Sequence, residues 1–214
     1  RFGAVDENGE YIRNDLVFAL FIRHFLKGQK GVVVYDLKLS DVVPQEVKAA
    51  GCTPMMEKTG HAFIKHSFEA NNALLAGEYT GHFAFQEIGT DDGLFASLKM
   101  AQLVQSLDGS LSEEIGTIPQ YTTTPDIRIH LDKETIRKIL SKVELELSDE
   151  AEIVLLDGVR AQFKDGWGLV RSSIYAPELS IRFEGYTPES LERIIRRFDK
   201  VIPEIGLLEK AGIQ

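Results

Sequence analysis

The chain has 214 residues, 43% hydrophobic and 27% charged, with 18 Gly and 7 Pro. This is near the globular average and excludes a disordered chain, a collagen-like repeat and a disulfide scaffold. Lys and Arg number 24 against 33 Asp and Glu, a formal net charge of −9, which argues against nucleic acid as a partner because phosphate neutralisation needs a basic face. The single cysteine, Cys52, cannot form an intramolecular bridge and fits a reducing, cytoplasmic compartment. No apolar run reaches the ~18–20 residues of a membrane span, so no membrane partner is expected. A phosphate ligand would need a local cluster of donors.

Residues 2–12, F-G-A-V-D-E-N-G-E-Y-I, read as a hairpin turning at Asn8-Gly9. It is either an N-terminal hairpin packed on the body or the remainder of a cut chain, because two strands alone are marginal in water. Asn14 or Asp15 is placed to cap a helix through Leu16, Leu20, Ile22 and Phe25, stopped by Gly28. The continuous apolar run 31–35 predicts a strand buried on both faces. A helix follows from Ser40 or Asp41 to Gly51, then a strand at 54–57 and a helix over 61–71. Strands at 73–76 and 83–85 flank a polar loop. Asp91 or Asp92 caps a helix through Leu94, Leu98, Ala101 and Leu107, closed by Gly109. Strands alternating with helices predict an α/β layer, a mixed and mostly parallel sheet with helices on both faces.

Residues 116–125 lack apolar periodicity and read as a linker, a hinge if it bends and a rigid connection if it packs. Beyond it, Ile127, Ile129 and Leu131 alternate with Arg128 and His130, so one face of that strand is wet. A helix carries Ile136, Ile139, Leu140 and Val143. Strands at 152–156, 159–163 and 167–171 are separated by Asp157-Gly158 and Asp165-Gly166 turns. Another strand carries Leu179, Ile181 and Phe183, and a final main helix starts at Thr187-Pro188. This second part is a smaller α+β domain with an antiparallel sheet.

Four polar loops follow predicted strands. Y-D-L-K-L-S at 35–40 places Lys38 at a strand-to-helix turn, where ligands gather in open α/β sheets; taken alone, an exposed surface lysine is the plainer reading. T-G-H-A-F-I-K at 59–65 sets His61 at a helix start, as a proton carrier or a plain surface histidine. G-E-Y-T-G-H at 77–82 is the densest group. Glu78 and Thr80 are two apart, so in extended backbone they project to one side and suit vicinal sugar hydroxyls, while His82 can move a proton near neutral pH. R-S-S-I-Y-A-P at 171–177 offers Arg171, the hydroxyls of Ser172 and Ser173, and loop amides for a phosphate.

Taken in order, Y-D-L-K-L-S, T-G-H-A-F-I-K, A-G-E-Y-T-G-H-F, D-D-G-L and D-G-W-G-L-V-R-S-S resemble the α-D-phosphohexomutases, the phosphomannomutase and phosphoglucomutase enzymes. The resemblance covers nearly the whole chain. It implies the third and fourth of four domains: 1–12 a remnant hairpin of the second, 13–116 the α/β sugar-binding domain, 117–126 the linker, and 127–214 the α+β phosphate-binding domain. Arg1 then matches the last residue of the family's metal loop D-G-D-x-D-R, so the aspartates that hold Mg²⁺, and the domain bearing the phosphorylated serine, would precede these residues. The missing N-terminal domains would be partners of this half.

The resemblance further implies interconversion of hexose 1-phosphate and hexose 6-phosphate, of mannose or glucose, through a bisphosphorylated intermediate. Glu78 and Thr80 would bind ring hydroxyls, and His82 and His61 would lie near the reacting sugar, with His82 as general acid or base. Arg1 and Lys38 would contact substrate, and Arg171, Ser172, Ser173 and Tyr175 would line the phosphate loop. There Ile174 and Tyr175 replace the family's usual Asn and Thr, which removes polar side chains from the phosphate grip. On this reading the 214 residues alone carry no mutase activity. The alternative is a non-catalytic sugar-phosphate-binding module.

Overall fold

The computed structural model describes residues 1–173 and 176–213; Ile174, Tyr175 and Gln214 lie outside the described residues. The chain forms two compact units, Arg1–Pro119 and Gln120–Gln214.

In the first unit, β1 (Ala4–Val5) and β2 (Tyr11–Ile12) make a small antiparallel hairpin. There follow α1 (Asn14–Phe25), β3 (Val32–Asp36), α2 (Val42–Ala49), β4 (Thr53–Glu57), α3 (His61–Ala70), β5 (Leu75–Gly77), β6 (Phe83–Phe85), β7 (Thr90–Asp91), α4 (Gly93–Ser106) and α5 (Leu111–Gly116). The sheet order is β4-β3-β5-β6-β7. β3 runs parallel to β4 and β5, whereas β5/β6 and β6/β7 are antiparallel, so the sheet is mixed.

Strand alternation sorts the core into two layers. Phe83 and Phe85 face α1, with Phe83 5.7 Å from the Phe18 ring and Phe85 5.5 Å from Phe21. Ala84 points the other way and joins Val34 and Ala76 against Ile64 and Phe68 of α3. Helices on both faces explain why Val33 and Val34 are both fully buried: neither face of β3 is left to water. Each fully buried phenylalanine contributes on the order of 1.5–3 kcal/mol of burial free energy.

Three local readings need correction. Asn14 and Asp15 do not cap α1; Arg13 holds that position, and both residues lie buried in the first turn. In α4, Asp92 is the cap, its side chain accepting from the Phe95 amide at 2.8 Å. The helix buries Ala96, Lys99, Met100 and Leu103, while Leu94 and Leu98 are 74% and 61% exposed. Buried Lys99 pairs with Glu87 at 2.6 Å and lies over the Phe25 ring. Finally, α5 was not expected; Ser110 and Glu113 form a reciprocal capping box at its start.

The second unit contains β8 (Thr122–Thr123), β9 (Ile127–His130), α6 (Lys133–Leu147), β10 (Glu152–Val154), β11 (Val159–Phe163), β12 (Gly166–Ser172), β13 (Glu178–Gly185), α7 (Pro188–Val201), a 3-10 turn (Pro203–Ile205) and α8 (Leu207–Lys210). Strands β10-β11-β12-β13 are antiparallel neighbours, and β8 and β9 share the outer edge of β13. Thr122 and Thr123, inside the segment read as a linker, are therefore strand. One sheet face packs Val159, Ala161, Val170, Ile181 and Phe183 against Ile139 and Val143 of α6 and Ile195 and Phe198 of α7. The opposite face carries Arg160, Trp167, Arg182 and Glu184, all essentially buried. Trp167 donates to Glu184 at 3.0 Å, and the Arg160 guanidinium stacks 4.5 Å from the indole centre.

Candidate functional site

The parallel strands β4, β3 and β5 end at one sheet edge, with Asp36 in register with Glu57 and Tyr35 with Gly77. Three of the four polar loops leave from that edge, as expected for ligand sites in open α/β sheets. Asp36, fully buried at the end of β3, ties them together. Its Oδ1 accepts from the Lys38 amide at 3.0 Å and from the Thr59 hydroxyl at 2.7 Å, and its Oδ2 from the Tyr79 amide at 3.3 Å. Burial pushes the Asp36 carboxyl above its ordinary value, against the pull of these donors and of the Lys38 charge. Lys38 itself is buried, not a surface lysine.

Residues 77–82 form a tight turn between β5 and β6. The Glu78 amide donates to the His82 carbonyl at 2.9 Å, and the Gly81 amide returns to the Glu78 carbonyl at 2.9 Å. Gly81 has φ +87°, and a Cβ there would come 2.4 Å from the Phe2 carbonyl oxygen. Asn14 also clamps the turn, donating to the Tyr79 carbonyl at 2.9 Å. Glu78 is buried and hydrogen-bonded by the Thr80 side chain, yet its Oε2 has no hydrogen-bond partner among the described residues. Burial first, and then the like charge of Asp36, raise its pKa. An unpartnered carboxylate oxygen in such a place is costly unless a ligand or an ordered water donates to it.

His61, at the start of α3, and His82, at the end of the turn, meet over Asp91 of β7. His61 Nε2 is 2.8 Å from Asp91 Oδ1 and His82 Nδ1 is 2.8 Å from Asp91 Oδ2, with the two rings 4.9 Å apart. Partial burial works to raise the Asp91 carboxyl, but the hydrogen bonds from His61 and His82 outweigh it and hold it below its ordinary value. Arg1 Nε donates to His82 Nε2 at 3.2 Å. That bond requires a lone pair on Nε2 and assigns the proton to Nδ1, where Asp91 accepts it. His82 thus offers a basic nitrogen on its Arg1 side.

In the second unit Arg171 lies at the end of β12, 5% exposed, with its Nε paired to Asp157 at 2.8 Å. Its Nη2 is buried without a hydrogen-bond partner among the described residues, a donor available to a phosphate. The Ser173 amide closes the loop base by donating to the Glu178 carbonyl at 2.8 Å, and the Ser172 hydroxyl donates to the Ser173 carbonyl at 3.5 Å. Tyr175, expected in the phosphate loop, and Ile174 are outside the described residues.

The structure thus joins Arg1, Lys38, His61, Glu78, Thr80 and His82 to the first unit's sheet edge, with Arg171, Ser172 and Ser173 in the second unit. Asp36, Asp91 and Asn14 were missed as site residues. For Asp91 a signal existed: of the pair Asp91-Asp92 only one can cap α4, leaving the other for different work. Among the described residues the one cluster of three or more His, Cys, Asp or Glu donors is His61, His82 and Asp91. Two imidazoles and one carboxylate are not the oxygen set Mg²⁺ takes, so these residues supply no site for that ion.

The chain is thus a mixed α/β unit with a buried, partly unpartnered carboxylate at its strand ends, followed by an antiparallel α+β unit. Residues 13–121 match the model of phosphoglucomutase/phosphomannomutase, alpha/beta/alpha domain III. The chain is 37% identical over 210 residues to a phosphoglucomutase of Neisseria gonorrhoeae, covering 94% of this chain and 45% of that protein. It is 33% identical over 215 residues to the phosphomannomutase/phosphoglucomutase of Pseudomonas syringae pv. tomato, covering 97% of this chain and 46% of that one. A crystal structure of a phosphoglucomutase/phosphomannomutase family protein from Burkholderia thailandensis superposes with a TM-score of 0.84 at 29% identity, over 95% of this chain and 44% of that one. The chain belongs to the phosphoglucomutase/phosphomannomutase family, the α-D-phosphohexomutases. It spans a little under half the length of the relatives it matches.

Proposed function

We propose that these residues form the sugar-phosphate-binding half of a mutase interconverting hexose 1-phosphate and hexose 6-phosphate by phosphoryl transfer through a bisphosphorylated sugar. Glu78 Oε2 and the Thr80 hydroxyl take ring hydroxyls. Asp36 holds the Lys38, Thr59 and Tyr79 segments in place so that Lys38 also meets the substrate. His82 Nε2 receives the proton of the attacking hydroxyl and returns one to the leaving oxygen, with Asp91 fixing its tautomer and Arg1 its outer edge. His61 shares Asp91 and flanks the reacting end. Arg171 Nη2 and the amides and hydroxyls of Ser172 and Ser173 hold the phosphate that is not being transferred. Mg²⁺ and the phosphorylated serine belong to the whole enzyme, and no step here runs through them.

The observation that carries this reading is the buried Glu78 oxygen without a partner among the described residues, in the loop expected to read sugar hydroxyls. The test is calorimetric titration of this chain with glucose 1-phosphate, glucose and inorganic phosphate. Glucose 1-phosphate is expected to bind best, and Glu78→Gln or Arg171→Ala to weaken it at least about tenfold. In the whole protein His82→Ala is expected to lower turnover of glucose 1-phosphate to glucose 6-phosphate by about 10²–10⁴, the usual contribution of a general acid or base. Equal binding of all three compounds, or unchanged turnover, would overturn the reading.

A further inference from the structure

We infer that His61, His82 and Asp91 form a site for a borderline transition metal such as Zn²⁺ or Co²⁺, separate from any Mg²⁺ that the mutase chemistry uses. One donor atom from each lies within 4.8 Å of the others. Both imidazole nitrogens already sit 2.8 Å from the two oxygens of one carboxylate. A metal about 2.1 Å from each donor of a tetrahedral set needs donors about 3.4 Å apart, so the two 2.8 Å pairs must open by about 0.6 Å and the widest pair, within 4.8 Å, must close by no more than about 1.4 Å. A cavity of about 10 Å³ opens beside the donors, lined by His61, His82, Asp91, Thr90, Ile64 and Phe68 among others. That is about the room one water-sized particle takes.

The donor set selects the ion. Imidazole suits Zn²⁺, Co²⁺, Ni²⁺ and Cu²⁺, whereas Mg²⁺ prefers oxygen ligands and keeps its waters. Three protein ligands leave a fourth position open to water. Binding has a cost within the site: His82 Nδ1 must give its lone pair to the metal, the ring proton moves to Nε2, and the bond from Arg1 Nε is lost. A metal here and a basic Nε2 on His82 therefore exclude one another. If His82 carries the proton in the mutase, a point that rests on the reading above, such a metal is an inhibitor acting at the imidazole pair.

Titration of this chain with Co²⁺, followed by visible absorption, tests the site without any hexose chemistry, so its outcome is distinguishable from failure of the mutase reading. One equivalent is expected to bind with d–d bands of low coordination number, and Zn²⁺ but not excess Mg²⁺ to displace it. Asp91→Asn, His61→Gln and His82→Gln are each expected to weaken binding at least about tenfold, since even outer-shell changes cost 10–100-fold. The exposed His66→Gln and His130→Gln are expected to leave it unchanged. Far-UV circular dichroism identifies variants that fold; His61, on the surface at the helix start, is the safest of the three. Absence of a stoichiometric band, displacement by Mg²⁺, or equal binding by folded His61→Gln would overturn the inference.

Discussion

Asp36→Ala is the substitution that most severely tests how the sheet edge is assembled. It removes one carboxyl and strands three donors on three different loops: the Lys38 amide, the Thr59 hydroxyl and the Tyr79 amide. The Lys38 bond is buried, so stranding it costs about 1–3 kcal/mol; the other two donors can reach water and cost about 0.5–1.5 kcal/mol each. Deleting a buried carboxyl returns part of its desolvation cost, which leaves a net loss of about 2–4 kcal/mol. For a unit of this size that lowers Tm by roughly 8–16 °C. Urea unfolding followed by far-UV circular dichroism measures it, with glucose 1-phosphate titration as the functional readout. Asp36→Asn keeps the Oδ1 acceptor and is expected to lose only about 1–2 kcal/mol, chiefly the Tyr79 bond. Because burial raises the folded-state pKa of Asp36, its ionisation weakens folding as pH rises through that value, and Asp36→Asn removes this slope. A loss below about 1 kcal/mol in Asp36→Ala, with binding intact, would refute the idea that this carboxyl organises the loops.

Other consequences follow from the same geometry. The Glu78 carboxyl sits above its ordinary pKa, from burial and then from Asp36, and hydroxyl donors favour its anion. The affinity ratio of wild type to Glu78→Gln for glucose 1-phosphate should therefore grow as pH rises from about 5 to 8, the variant absorbing the ligand's own titration near pH 6; a flat ratio contradicts this. Gly81→Ala combines a positive φ with a contact to the Phe2 carbonyl, and is expected to destabilise by about 2 kcal/mol or more in thermal melts; a neutral result would mean the turn is not held as described.

The layers were legible because periodicity reports burial. The run around Val33 and Val34 marked a strand covered on both sides, and Leu179, Ile181 and Phe183 marked one covered on a single face. The loop order was legible too, since each polar stretch interrupts such a pattern. Asp36 was not, because its partners at 38, 59 and 79 are brought together only by parallel strand register. Lys38 reads as a surface residue until Asp36 is seen to be buried beside it. In α4 the apolar Leu94 and Leu98 suggested an inward face, but Met100 and Leu103 occupy it. The Ser110-x-x-Glu113 capping box spelled out α5 in sequence, although six residues are too few for an apolar stripe. Arg160 and Arg182, charged residues alternating with apolar ones, suggest a wet face, and only the stacked Trp167 and its bond to Glu184 reveal a buried polar layer.

The proposal that the Glu78 turn reads a hexose phosphate through the unpartnered Oε2 is tested most directly by calorimetric titration of wild type and Glu78→Gln with glucose 1-phosphate. One ligand per chain is expected, bound at least about tenfold more weakly by the variant. Equal affinity in a folded Glu78→Gln would contradict it.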